Sequence, residues 1–573
     1  MPRPDRLRIA LFGASTKGRA CLRALGRRTD VHVQCFLDND PAVWGSEVDG
    51  IPVRAPGAST CAGLSAIVIS SLHVDAIFHQ LARLGFADRT AVSLADFDAR
   101  FQPTPAASAR LAPLSPPASA RQAPHEGGWV ARQLAALNGV IGSGPVERST
   151  SSVELALCTV VSNNYLAYAR TVASSFLRHH PGGRVFVCLV DEKIPGVTYP
   201  DAVDSRIHVI EARDLGLARF ESMAFGYTAV ELNTAVKPAF FKHVFDRFAV
   251  ERLVFLDPDI VVFRPLTPIA AQLTRHAIAL VPHLTSRLDD GRSPGEIDIL
   301  KAGVFNLGFL GLSRGPETSR FLDWWGDRLE RHCVIEPERS LFVDQRWVDL
   351  VPALFDDYVI LKDPGYDVAY WNLHERDVTL EDGDVRVNGQ PLYFYHYSGI
   401  DVDDIDQVSR YQNRVHLPGS GALRSLFELY RELLARHGHA QTRALPYRYA
   451  AFENAVPVSD AIRRVYRSSP ALADRFANPF VASGNSFLQW LKEPVAPGSR
   501  VTNLFAGLHA TRNELRFAFP DPRGADAAAL VERLMSTSST LYGVHPAFFD
   551  HKDSSCEPTT CPTIRLNRPS MPR

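Results

Sequence analysis

The sequence predicts an α/β protein in three parts: an N-terminal doubly wound unit over 1–100, a central α/β domain with a mainly parallel sheet over 151–410, and an all-helical region over 411–545. Three observations carry this reading. Short apolar runs alternate with segments of helical period twice along the chain. A stretch rich in Pro, Ala and Ser, "FQPTPAASARLAPLSPPASARQAPHEGG", separates the two series and is assigned, with its flanks, to a linker over 101–150. Beyond about residue 410 the periodic helical segments continue without strands to pair with them.

The first series opens with "RIALFGASTKGRACLRALGRRTDVHVQCFLDND", which reads as strand, glycine turn, helix and strand. Gly13, Ser15 and Gly18 occupy the turn, and Asp38 follows Gly18 at about the 20-residue spacing of a ribose-binding acid. Ser15 stands where a dinucleotide fingerprint has its middle glycine, so nucleotide binding and a cofactor-free doubly wound unit remain alternatives. "LSAIVISS" supplies a further buried strand and "HVDAIFHQLARLGF" a further helix.

The central series begins with the strand "ELALCTVV", the helix "NNYLAYARTVASSFLRHH" and the strand "RVFVCLV". It continues through "IHVIEA", "TAVKPAFFKHVFDRF", "RLVFL", "AIALVP" and "VFNLGFLGL". Parallel sheets bind ligands at the carboxyl ends of their strands. One such end stands out: in "ERLVFLDPDIVVFRPL" an apolar strand runs into Asp257 and Asp259 before apolar residues resume at Ile260. Carboxylates in such surroundings need a partner for their charge. Two of them separated by one proline can share a hard divalent cation through oxygen ligands, or can simply cap a turn.

The helical region contains "ALRSLFELYRELLARHG", "VSDAIRRVYRSS", "SFLQWL" and "DAAALVERLM", with no catalytic constellation. The tail over 546–573, with Cys556 and Cys561, has the Ser, Thr and Pro content of a disordered end. The other six cysteines are scattered singly, several in apolar runs, as free thiols of a cytoplasmic protein would be. With 62 basic and 63 acidic side chains, the formal net charge of -1 gives no sign of a nucleic-acid partner. No apolar run approaches the roughly 18 to 20 residues of a membrane span, and peripheral membrane association stays open.

From Leu155 to Asp401 the sequence resembles the family 8 glycosyltransferases, the glycogenin-like and lipopolysaccharide galactosyltransferase-like enzymes of the GT-A fold. Four motifs carry the resemblance in order: "VFLDPDIVV", "GVFNLGFLGL", "FVDQRWVD" and "YFYHYSG". It implies a retaining hexosyltransferase that uses a nucleotide-diphosphate sugar, most often a UDP-sugar, and a carbohydrate or glycoconjugate acceptor. Asp257, Asp259 and His396 would bind Mn2+ or Mg2+, and Ser162, Asn163, Asn164 and Tyr165 would hold the nucleotide. Lys237 would approach the diphosphate or sugar, Asn306 and Gly308 would line the donor sugar, and Gly399 would close the last motif. Asp344 would hold sugar hydroxyls beside the anomeric carbon, with Gln345 presenting its carbonyl oxygen to it.

One departure stands against the resemblance. Relatives follow the histidine and glycine with a lysine, whereas this chain continues "IDVDDIDQVSRYQNR". Arg376 and Arg410 are the candidate replacements. Over about residues 8–56 the chain resembles the Rossmann-like domains attached to sugar acetyltransferases and C-methyltransferases. Two other functions remain as alternatives: a catalytically degenerate nucleotide- or glycan-binding scaffold, and an NAD(P)-dependent sugar-modifying enzyme acting through the N-terminal unit.

Overall fold

The computed structural model describes residues 154–549 apart from 418, together with 126–142. Before these it describes 7–14, 16–25, 30–40, 43–61, 63–70, 77, 81, 86 and 90–91. Ser15, most of the segment 73–86, the remainder of the expected linker and both tail cysteines lie outside the described residues.

The N-terminal unit is a six-stranded sheet in the order 47–48, 51–54, 31–37, 7–12, 66–69 and 90–91. All neighbours are parallel except the first two strands. The strand Leu7–Phe12 sits inside the sheet, and its residues Ile9 to Phe12 are buried on both faces, which is why the run reads as continuously apolar rather than alternating.

The central sheet has seven strands in the order 358–360, 278–280, 309–313, 252–256, 156–161, 185–189 and 207–211. Phe309–Ser313 runs antiparallel to both neighbours, and the other four pairings are parallel. The sheet is therefore mixed, and the single reversed strand brings the turn before it, with Asn306 and Gly308, to the end of Arg252–Leu256. The helix Leu166–His179 covers one face through Leu166, Ala169, Val172, Ala173, Phe176 and Leu177, a three-and-four spacing that buries one stripe. Each large apolar side chain in such a stripe contributes about 1.5–3 kcal/mol.

Two expectations about the flanks need correction. Inside the stretch read as linker, Glu126–Leu137 forms a helix against Ala422–Arg436, and Trp129 is only 1% exposed. The Pro-, Ala- and Ser-rich stretch before it masked an apolar stripe of Trp129, Leu134 and Leu137. The C-terminal helices are likewise not an appendage: Tyr449, Ile462, Val465, Phe487, Leu508 and Leu530 share one core with Phe225, Phe240 and Phe255. Phe548, placed in the expected tail, is buried in that core too. Arg463 fastens the junction: it is 4% exposed and donates to the carbonyls of Ala224, Phe225, Tyr227 and Tyr449. Among the described residues no helix is long and apolar enough to cross a membrane.

Candidate active site

The site forms where the strand Arg252–Leu256 ends. Asp257 donates its backbone N–H to Gly308 O at 2.8 Å, and Ile260 N–H returns to Asp257 O, so the Asp-Pro-Asp turn is pinned to the neighbouring chain. The chain then re-enters as Ile260–Val262, paired antiparallel with Phe394–His396 in a register that sets Ile260 opposite His396. A residue more than a hundred positions along the chain thus arrives beside the aspartates by strand pairing alone. The His396 Nε2 lies 3.1 Å from Asp259 Oδ1 and 3.8 Å from Asp257 Oδ2, and one ligand atom from each of the three side chains fits within 4.8 Å.

The other imidazole nitrogen is also held. Nδ1 is 3.3 Å from Asp367 Oδ1, and Asp367 is fully buried at a backbone φ of +50°. A carboxylate on one ring nitrogen fixes the ring and turns the other toward the aspartates, the arrangement that orients metal-ligating histidines. Burial opposes a charge on His396, yet Asp259 and Asp367 outweigh it and hold its pKa well above the ordinary histidine value. Asp367 escaped the sequence reading because it is 29 residues from His396 and is brought there by a bridge between Val368 and Tyr395. Gly308 completes the fit: a Cβ there would stand 2.3 Å from His396 Cε1, so its lack of a side chain makes room for the imidazole.

Behind the aspartates lies a buried ion cluster. Lys237 Nζ is 2.8 Å from Asp344 Oδ2 and 3.8 Å from Asp257 Oδ1, donates to Leu307 O, and sits 4.1 Å over the Phe255 ring. Lys237 and Asp344 are each 2% exposed. Desolvation raises the Asp344 carboxyl above its usual range, against the pull of Lys237. Asp257 keeps a third of its side chain open, and desolvation still pushes its carboxyl up to about 6 against Lys237 and His396. Asp344 makes no cap bond to the helix Gln345–Val348 that follows it. Immediately before it, Val343 adopts a φ of +42°, a region a β-branched residue rarely enters.

Several side chains expected to face a donor are spent inside the protein. The Asn163 amide is buried, donating to Glu192 O and accepting from Tyr199 OH. Asn306 donates to His283 Nε2 and accepts from Gly308 N–H, and burial lowers His283 to about 4, which keeps it a neutral acceptor. Gln345 Oε1 takes Leu307 N–H while its Nε2 donates to Ala302 O. Ser162 is turned onto Asn164. Asn164 and Tyr165 do line a cavity of about 380 Å³, together with Asp401, Asp403, Arg410 and Arg443. Tyr165 is 40% exposed and stacks on Tyr168 at 4.6 Å. Gly399 packs so closely on Ser409 and Tyr411 that a Cβ would meet both at 2.5 Å, and its carbonyl accepts from Arg410 N–H. Of the two candidate replacement cations, Arg376 is buried on Tyr366 O, whereas Arg410 is exposed beside the Tyr411 ring.

In the N-terminal unit, Asp38 does not face outward. Oδ2 accepts from Ala14 N–H at 2.8 Å and Oδ1 from Asp40 N–H at 3.0 Å, so the carboxylate closes the glycine turn. Gly18 is required by packing, since a Cβ would stand 2.1 Å from Gly13 O.

No protein-family model matches the chain. Two relatives from Bacillus subtilis (strain 168), both described as uncharacterized, are similar to part of the chain. YfnD is 27% identical over 248 residues, 42% of this chain and 76% of its own length. YfnF is 23% identical over 289 residues, 49% of this chain and 91% of its own length. Among solved structures, the galactosyltransferase LgtC in complex with donor and acceptor sugar analogues is 14% identical, covering 51% of this chain and 97% of that one with a TM-score of 0.30.

Proposed function

We propose that the protein is a metal-dependent glycosyltransferase of GT-A type, moving a hexose with retention from a nucleotide-diphosphate sugar, by preference a UDP-sugar, to a carbohydrate or glycoconjugate acceptor. The observation that carries this reading is the convergence of Asp257, Asp259 and His396 at a strand end, beside an open cavity and above a buried Lys237–Asp344 pair. Two carboxylates and an imidazole suit Mn2+ better than Mg2+, which prefers oxygen ligands. Such a cation would lend positive charge to the donor's diphosphate.

The protein's own groups take the remaining roles. His396 is aimed by Asp367. Lys237, rather than touching the diphosphate, offsets the charge of Asp344 and Asp257 behind the site. Gln345 is fixed by Leu307 N–H and has one lone pair left to face a developing positive charge. Asn164 and Tyr165 offer an amide and an exposed ring to the nucleotide, and Arg410 supplies the cation missing after Gly399. In the transfer, the bond from the anomeric carbon to the diphosphate oxygen breaks as the bond to the acceptor oxygen forms, and the acceptor's proton passes to the departing diphosphate.

The test is nucleotide release from a panel of nucleotide-diphosphate sugars, with Mn2+ or with EDTA, in the unaltered protein and in Asp257→Ala/Asp259→Ala. Slow hydrolysis that needs both the metal and the aspartates supports the reading. Metal-independent binding without turnover across the panel sinks it and leaves a nucleotide-binding scaffold, a reading favoured by Asp401 and Asp404 following Gly399 where a lysine was expected.

A further inference from the structure

We propose that a second, arginine-lined cavity, separate from the aspartate site, binds a phosphate-bearing ligand. Its volume is about 500 Å³, and it opens between the end of the helix Pro316–His332, the segment Ile335–Phe342 and the helices Asp460–Arg467 and Asn513–Ala518. Five arginines (Arg331, Arg339, Arg464, Arg467 and Arg516) line it against two glutamates, Glu336 and Glu338, a surplus of three positive charges in a chain of net charge -1.

The surplus is concentrated. Glu336 is 5% exposed and takes Arg339 at 2.6 Å, Arg467 at 3.1 Å and Arg464 at 3.5 Å, and the buried Glu231 lies 3.7 Å from Arg467, so two carboxylates serve three guanidinium groups. Among the described residues, neither Arg331 nor Arg516 has a carboxylate within ion-pair distance. Arg331 lies at one helix C-terminus, and Arg464 and Arg467 at another, where the end carbonyls of each helix carry about half a negative charge. Those two ends and Glu231 together offset about two of the three surplus charges, which leaves the lining net positive. At the same rim, His332 is held below its ordinary pKa, by desolvation first and then by Arg339, Arg331 and Arg328, which reports the positive field.

Guanidinium forks match phosphate oxygens in pairs, and convergent arginines favour a multiply charged oxyanion over a single carboxylate. The phosphate could belong to a soluble metabolite or to a lipid headgroup. Phe517, next to Arg516 in sequence, is 89% exposed and offers an apolar contact that only the second source would use.

The experiment is calorimetric titration of the full-length protein with inorganic pyrophosphate in EDTA, repeated on Arg331→Gln/Arg516→Gln and on Asp257→Asn/Asp259→Asn. Neither arginine is buried, so the first variant is expected to fold. Binding that weakens at least about tenfold in the arginine variant and persists in the aspartate variant is the expected result. No binding at millimolar pyrophosphate, equal binding by the arginine variant, or loss in the aspartate variant alone would overturn the proposal. A second arm uses phosphatidylglycerol vesicles. Sedimentation lost in both Arg331→Gln/Arg516→Gln and Phe517→Ala assigns the phosphate to a headgroup, whereas pyrophosphate binding without sedimentation assigns it to a soluble ligand.

Discussion

Two turns in this molecule follow the ends of parallel strands and carry aspartates, and the structure uses them in opposite ways. Asp38 spends both oxygens on nearby backbone N–H groups, Ala14 and Asp40. Asp257 and Asp259 meet charged side chains from distant segments, His396 and Lys237. A carboxylate satisfied by its own turn is architecture. A carboxylate pair balanced by an imidazole and an ammonium, and still partly open to solvent, is a site in which charge is held ready for a ligand.

The largest effect that would break this comparison comes from removing the aspartates. Asp257→Ala/Asp259→Ala is expected to lower metal-dependent nucleotide release by at least about a hundredfold, while Asp38→Ala leaves it unchanged. Equal losses in the two variants would erase the distinction. Next is Lys237→Met, which leaves Asp344 buried without its cation. A loss of about 3 kcal/mol in denaturant unfolding is expected, and an unchanged midpoint would mean that the pair is not buried in solution. Asp367→Asn removes the group that aims His396. Calorimetry with Mn2+ should show roughly 10–100-fold weaker binding with little change in unfolding.

Acid should act on the central domain. His283 and His180 are depressed by burial to about 4, and each accepts a hydrogen bond at Nε2. The unfolded chain takes up protons near the ordinary histidine value that the folded state refuses until about pH 4. Stability contributed by the neutral rings is present above about 6.5 and declines as pH falls from there toward 4. Denaturant midpoints across that window check the sign. The smallest effect belongs to Asp38→Ala, about 1 kcal/mol or less from the lost turn bonds, read by the same unfolding experiment.

How much of this was legible in the sequence follows from the range of the forces involved. The strand ending in Asp257 and Asp259 could be read because apolar pattern and charge change within a few residues. His396 could be matched to the aspartates only through the order of motifs, since its position depends on pairing with Ile260. Asp367 left no signal, being placed by a bridge between segments whose alignment no local pattern encodes. Residue type alone does not tell where hydrogen bonds go: Asn163, Asn306 and Lys237 have the chemistry of donor contacts, and their polar atoms also bond within the protein. The helix Glu126–Leu137 was hidden by a neighbourhood rich in Pro, Ala and Ser. Helical periodicity showed that the C-terminal segments bury a stripe, but not that they bury it in the core of the central domain.

The bonds made by Arg463 bear on how the protein can be synthesised. The carbonyl of Phe225 lies 238 residues before the guanidinium that it accepts from. During translation, the segment Phe220–Gly226 emerges with apolar faces and carbonyls whose partners do not yet exist. The core that this helix shares with the C-terminal helices therefore cannot be completed until those helices have been made. A nascent chain halted before residue 463 would present that unfinished surface to chaperones, and to other copies of itself.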